Sequence, residues 1–318
     1  MGKKINRRVF IKRTAAAGAV GFLGTWMLPR LIHGMNTPTS SDIVIANGQN
    51  YFNSTIKSIE QLGGISNFVS PGQTVGLLIN SAFDQKGAYV NPDIPLAIIK
   101  LCSDAGAKEI TCLQKVSDDY WKRSPRHEEL SDIINNVKHV ESNIVPAKLN
   151  DEFEIITDIP GARALKEAEV VKAISNCDVF INIPIAKHHA LTFYTGAIKN
   201  MMGICTRKTN VSMHLGSGVR NNPDYLGQCI ADINLYRKPD LVVVDATEFI
   251  ISNGPGGPGE IKKPDKVIAG TDIVAIDALC CTYVNLLPED IVSINKAYEL
   301  GLGEIDYHKL KIKEIVSN

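Results

Sequence analysis

Short apolar runs that alternate with helical patterns constrain this chain most. Residues 74–79 (TVGLLI), 109–113, 178–183 (DVFINI), 240–245 (DLVVVD) and 266–269 are runs of four to six residues that predict strands. Helical patterns fall over residues 55–62, 92–105, 161–175, 225–236, 272–286 and 288–300. Uninterrupted apolar strands need cover on both faces, and helices between them join them in parallel. The prediction is an α/β domain over residues 36–318, a mostly parallel sheet with helices on both faces. With 318 residues, 44 % hydrophobic and 21 % charged, the chain can bury such a core, and disordered, fibrous and polytopic membrane classes are excluded. Residues 114–160, less regular and richer in charge, are read as a peripheral insertion.

In such a three-layer, Rossmann-like arrangement, ligands sit in the loops at the carboxyl ends of strands. The loop after DVFINI crowds donors: Lys187, His188, His189, Thr192, Thr195, Lys199 and Asn200. A helix beginning near Thr195 would aim its first N–H groups at the same place, and Arg207, Lys208 and His214 follow in a polar loop that would close over it. This set suits an anionic or oxygen-rich ligand. Lys187 and Lys199 are the candidates to neutralise or covalently hold the anion, and His189 is the candidate general acid or base. Asn80, at the end of TVGLLI, and Asp245, at the end of DLVVVD, lie at comparable strand ends. The loop from Asn253 through Gly254 and Gly256 to Gly259 permits close backbone approach, yet it is neither a Walker A loop nor GxGxxG opening a helix. Asp272 sits where it would cap the following helix, and Asp277, inside that apolar helix, requires a partner, for which Lys187 and Lys199 are candidates. The bland alternatives are a solvated basic loop and a tight structural turn.

Charge is unevenly distributed. The formal net charge is zero, but residues 1–35 hold seven basic and no acidic side chains. Without them 27 basic residues face 34 acidic ones, a formal charge of −7 that argues against a nucleic-acid partner. Arg7-Arg8-Val9-Phe10-Ile11-Lys12, followed by an apolar run over residues 15–28, resembles a twin-arginine export signal. That resemblance implies passage through the twin-arginine export machinery to the periplasm, and export of a folded chain with any cofactor already inserted. An uncleaved membrane anchor is the alternative. The seven cysteines include no C-x-x-C and match neither an iron–sulfur run nor a zinc site. Cys205, in the polar loop, is the one placed for reactivity.

Residues 182–189 (NIPIAKHH), 195–203 (TGAIKNMMG), Asp245, Asn253-Gly254-Pro255 and 272–277 (DIVAID) together resemble the domain of unknown function 362 family, over roughly residues 44–303. The resemblance implies signature positions at Lys187, His189, Lys199, Asn200, Gly203, Asn253, Gly254 and Asp277. Many relatives add a ferredoxin-type cysteine cluster, which this sequence lacks. A lysine and histidines past a strand are also similar to the lactate racemase family, with its lysine-tethered nickel pincer nucleotide. No metal or cofactor is assigned from that likeness. The leading reading is an exported protein with a basic pocket for an anionic small molecule or cofactor, acting as an enzyme. The alternative is a non-catalytic periplasmic binding or accessory protein.

Overall fold

The computed structural model describes residues 41–141 and 150–317. Its strands are β1 (Ile43–Asn47), β2 (Thr74–Ile79), β3 (Glu109–Cys112), β4 (Lys138–His139), β5 (Phe153–Ile156), β6 (Ala168–Val171), β7 (Val179–Ile183), β8 (Lys187–His189), β9 (Phe193–Thr195), β10 (Leu241–Ala246), β11 (Phe249–Ile250), β12 (Ile261–Lys262), β13 (Lys266–Gly270) and β14 (Ile312–Val316). Its α-helices are α1 (Tyr51–Gln61), α2 (Asp93–Asp104), α3 (Asp118–Trp121), α4 (Ser131–Asn135), α5 (Lys172–Asn176), α6 (Ala197–Asn200), α7 (Arg207–Leu215), α8 (Pro223–Tyr236), α9 (Ile273–Cys281) and α10 (Val292–Glu299).

Eight strands form one sheet in the order β14-β1-β13-β10-β7-β2-β3-β4. All neighbours are parallel except around β13, which runs antiparallel to both β1 and β10. Every residue of β7 and β10 is buried, as is every residue of β2 after Thr74. Burial at consecutive positions means cover on both faces, which is why these strands read as continuous apolar runs. Helix α1 packs on α2 and against β1 and β13, whereas α6 packs on β7, α8 and α9. The fold is the expected α/β class, a mostly parallel sheet with helices.

The strand order positions the site. From β2 the chain moves outward to β3 and β4, then returns to lay β7 on the other side of β2 before continuing to β10. The order therefore reverses between β2 and β7, and crevices in open α/β sheets form outside the carboxyl ends of the strands at that point.

Several local expectations change. Residues 161–175 are not one helix: a turn leads into β6, which pairs antiparallel with β5, and only α5 is helical. The cause is long-range. Buried Asp232 on α8 accepts the backbone N–H groups of Arg163, Ala164 and Leu165, at 2.6–3.1 Å, and holds this stretch in a non-helical turn. Residues 207–215, read as a polar loop, form α7, with the Thr206 side chain capping it by accepting from Thr209 N–H. The helix beginning at Asp272 ends at Cys281, and left-handed Asn285 separates it from α10. In the irregular stretch, β4 extends the sheet beyond β3, and Tyr120 and Trp121 of α3 are buried. The export-signal reading of residues 1–35 lies outside the described residues. Among the described residues no helix is long and apolar enough to cross a membrane.

Replacing Asp232 with Ala leaves three backbone N–H groups and the Gln228 side-chain amide without their acceptor. Urea denaturation should show a loss of roughly 3 kcal/mol or more. A loss below about 1 kcal/mol would mean that the turn at residues 161–165 is held by something else.

Candidate functional site

A cavity of about 300 Å³ opens at the switch point, walled by the loops after β2 (Asn80, Phe83), β3 (Gln114) and β7 (Lys187, His189, Thr195, Lys199, Asn200), with His214 and Pro255 on other sides. Among the described residues no Asp or Glu lines it.

The loop after β7 is held extended against β10, with Asp245 N–H donating to Pro184 O and Ala186 N–H donating to Asp245 O, each at 2.9 Å. It then folds into the β8–β9 hairpin, with Lys187 opposite Thr195. Alternation along the hairpin sends Lys187, His189 and Thr195 to the cavity, and His188 and Tyr194 to the other side. The Lys187 ammonium donates to Pro255 O at 2.8 Å and to Ala88 O, and lies 4.0 Å from the centre of the Phe83 ring. Burial, with repulsion from Lys199 second, pushes its amine down to about 7. Nδ1 of His188 accepts from Gly254 N–H at 3.0 Å. A Cβ on Gly254 would sit 1.7 Å from His188 O, so only glycine lets this loop close on the hairpin.

Nδ1 of His189 accepts from the N–H groups of Leu191 and Thr192, at 3.1 and 3.2 Å. That assigns the ring proton to Nε2. Burial first, then Lys199 and Lys187, hold the imidazole down to about 3, so it is neutral throughout the physiological range. Of the expected general acid or base roles, His189 is thus placed for the hydrogen-bond donor's. Nδ1 of His214 lies 3.0 Å from Asn221 Oδ1; a neutral ring that donates there keeps Nε2 as its accepting nitrogen.

Lys199 rides on α6, and two buried polar contacts place that short helix. The Asp277 carboxylate accepts from Ala197 N–H at 2.7 Å and Ile198 N–H at 2.9 Å. From the sheet side, Asn200 Nδ2 donates to Asn182 Oδ1 at 2.7 Å and Leu78 O at 3.1 Å, Asn182 Nδ2 donates to Ala197 O, and Asn80 Nδ2 donates to Asn200 Oδ1. Lys199 itself is half-buried, and among the described residues its ammonium has no hydrogen bond or ion pair. Burial pushes its amine down to about 8. Thr195 is 3 % exposed and its Oγ1 has no hydrogen-bond partner.

A family model described as domain of unknown function (DUF362) matches residues 76–282. This chain belongs to the DUF362 family. A thylakoid-associated protein of a Synechocystis strain is 25 % identical to it over 257 residues, covering 77 % of this chain and 73 % of that one. Among solved structures, the lactate racemase apoprotein of Thermoanaerobacterium thermosaccharolyticum matches with a TM-score of 0.44 at 11 % identity, over 74 % of this chain and 56 % of that one. A Thermotoga maritima structural-genomics protein matches with a TM-score of 0.40 at 10 % identity, over 80 % and 60 %. The chain therefore spans under two thirds of the length of these two structures.

The site residues expected from sequence divide into two groups. Lys187, His189, Lys199, Asn200 and Gly203 line the cavity, together with Asn80 and His214. Asn253, Gly254 and Asp277 do not, and neither do Arg207, Asp245 and Gly256. Asp277 orients no lysine; it binds the two α6 amides, which consequently do not face a ligand. Asp245 is buried and fully engaged, accepting from Asn91 N–H at 2.6 Å and from Thr247 N–H and Oγ1 at 2.8 and 2.7 Å. Burial pushes its carboxyl up to about 6. Asn253 donates to Pro258 O within its own loop, and Gly256 packs beside Phe83. Arg207 is exposed on α7, and Lys208 pairs with Glu169 at 2.6 Å. Cys205 is buried, and burial raises its thiol well above the usual range. Phe83 and Gln114 were not singled out by sequence; each follows a strand closely, which is the one signal that marks them.

The two lysines are thus unequal. Lys187→Met should cost roughly 2 kcal/mol, because two buried carbonyls lose their donor. Lys199→Met, which removes an unpaired buried charge, should leave stability unchanged or raise it. Thermal unfolding of both variants checks the order; equal losses would contradict it.

Proposed function

We propose that this is an exported protein whose basic pocket holds a small anionic molecule or cofactor. The observation that carries this reading is the Lys199 ammonium, which lines the cavity; among the described residues it has no partner and no carboxylate shares its wall. A half-buried cation without a counter-charge costs free energy that a bound anion repays. The unpartnered Thr195 hydroxyl and the Nε2–H of His189 supply two more donors to the same space. Export to the periplasm is supported by the Arg7-Arg8 pattern and agrees with the name of the thylakoid-associated relative. The acidic remainder of the chain disfavours a nucleic-acid partner.

The enzyme reading is favoured over simple binding by the two histidines. His189 presents an N–H and His214 an accepting nitrogen, so one can polarise a bound group while the other receives its proton. Long-range ¹H–¹⁵N NMR should find the proton on Nε2 of His189 and on Nδ1 of His214. Identical tautomers would remove the argument for an acid–base pair.

Sulfate, a dianion across the relevant pH range, tests the anion reading. At ten times its dissociation constant it should stabilise the protein by about 1.4 kcal/mol over chloride at matched ionic strength. The sign with pH is set by Lys199. Bound sulfate holds the amine protonated above its value of about 8 in the free pocket. Binding therefore takes up a proton, and the stabilisation should fade as pH rises through that value. Lys199→Met should abolish it. Sulfate no better than chloride at any pH would contradict the reading.

A further inference from the structure

We infer that the anion carries an apolar tail, laid from the basic pocket past His214 into a trough beside α7. This rests on the anion reading above and names the class of ligand, an amphiphilic anion. A second cavity, an open trough of about 510 Å³, is walled by Leu191, Val211, His214, Leu215, Arg220 and Asn221. His214 borders both cavities, so the trough and the basic pocket meet at opposite sides of one side chain.

The surface around the trough is unusual for a helix that covers a core. Thr209 and Met213 of α7 face inward, yet Val211 and Leu215, four residues apart on the outer side, are 42 % and 48 % exposed. Phe193, beside Leu191 at the hairpin end, is 50 % exposed and sits at φ +61°, a conformation that side-chain-bearing residues seldom adopt. Val219, just past α7, is 62 % exposed. Leu191, Val211 and Leu215 thus wall a trough that shares His214 with the cationic pocket, where an anionic head entering the pocket leaves its chain lying on them. Exposed apolar side chains beside a pocket mark a binding groove.

Methylphosphonate and octylphosphonate, titrated by calorimetry below the micellar range, test this. About four buried methylenes at roughly fourfold each should make the octyl compound roughly 200-fold tighter. Leu215→Asp and, independently, Val211→Asp should bring that ratio below about tenfold; both sites are exposed, so melting temperature checks that the variants are folded. A ratio near one in the wild type, with methylphosphonate still bound through Lys199, overturns the tail and leaves the anion reading intact. Binding of neither compound overturns both. A dimer in light scattering that Leu215→Asp dissociates would assign the strip to a second copy and overturn the proposal. Co-sedimentation with phosphatidylcholine vesicles carrying phosphatidic acid separates the sources: retention that Leu215→Asp removes assigns a bilayer lipid, and no retention assigns a free amphiphile.

Discussion

The buried carboxylate of Asp277 accepts the first two amides of α6, and the geometry of the site follows from that contact. A four-residue helix has no stability of its own. It persists here because α9 grips its beginning through Asp277, while Asn182 and Asn200 tie it to β7 and β2. The approach is close enough that a Cβ on Gly196 would lie 2.3 Å from Asp277 Oδ1. Burial pushes the Asp277 carboxyl up to about 7, and with two backbone donors and no cationic partner among the described residues it offers the cavity no counter-charge. Had Asp277 paired with Lys199, as its place in an apolar helix first suggests, the pocket would carry its own counter-ion and have little use for a ligand's.

The same logic separates the residues that build the pocket from those that face into it. Lys187 joins the loop after β2 to the Pro255 loop through two carbonyls, so much of its donor capacity is structural. Gly254 and Asn253 fix that second loop from behind, while Asp245 holds Asn91 of the first loop and Thr247. What remains open is a small set: the Lys199 ammonium, the Thr195 hydroxyl, His189 as a donor and His214 as an acceptor. The residues singled out in this sequence therefore divide into some that brace the pocket walls and some that face the cavity, and only geometry tells them apart.

The core of the fold is legible in sequence because its central strands are buried on both faces and so appear as unbroken apolar runs between turn residues. The run TVGLLI matches β2, and DVFINI and DLVVVD match β7 and β10 within one residue. The pocket-facing positions from Lys187 to Asn200 are also legible, since donors crowd one strand end. The rest depends on contacts distant in sequence. Residues 163–165 lose their helix to Asp232, nearly seventy positions later. Helix α7 shows little inward apolar face because Val211 and Leu215 point outward and only Met213 of its apolar side chains is buried. No local pattern distinguishes Asp277 bonded to amides from Asp277 bonded to a lysine. The roles of His189 and His214 turn on which ring nitrogen is already engaged.

An uncompensated cationic pocket calls for a bound anion. Native mass spectrometry of the full protein isolated from its own host looks for that anion. The expected result is a one-to-one complex with a small anionic molecule, displaced by sulfate and absent from Lys199→Met. A wild-type protein at its bare polypeptide mass, unaffected by added sulfate, would contradict it.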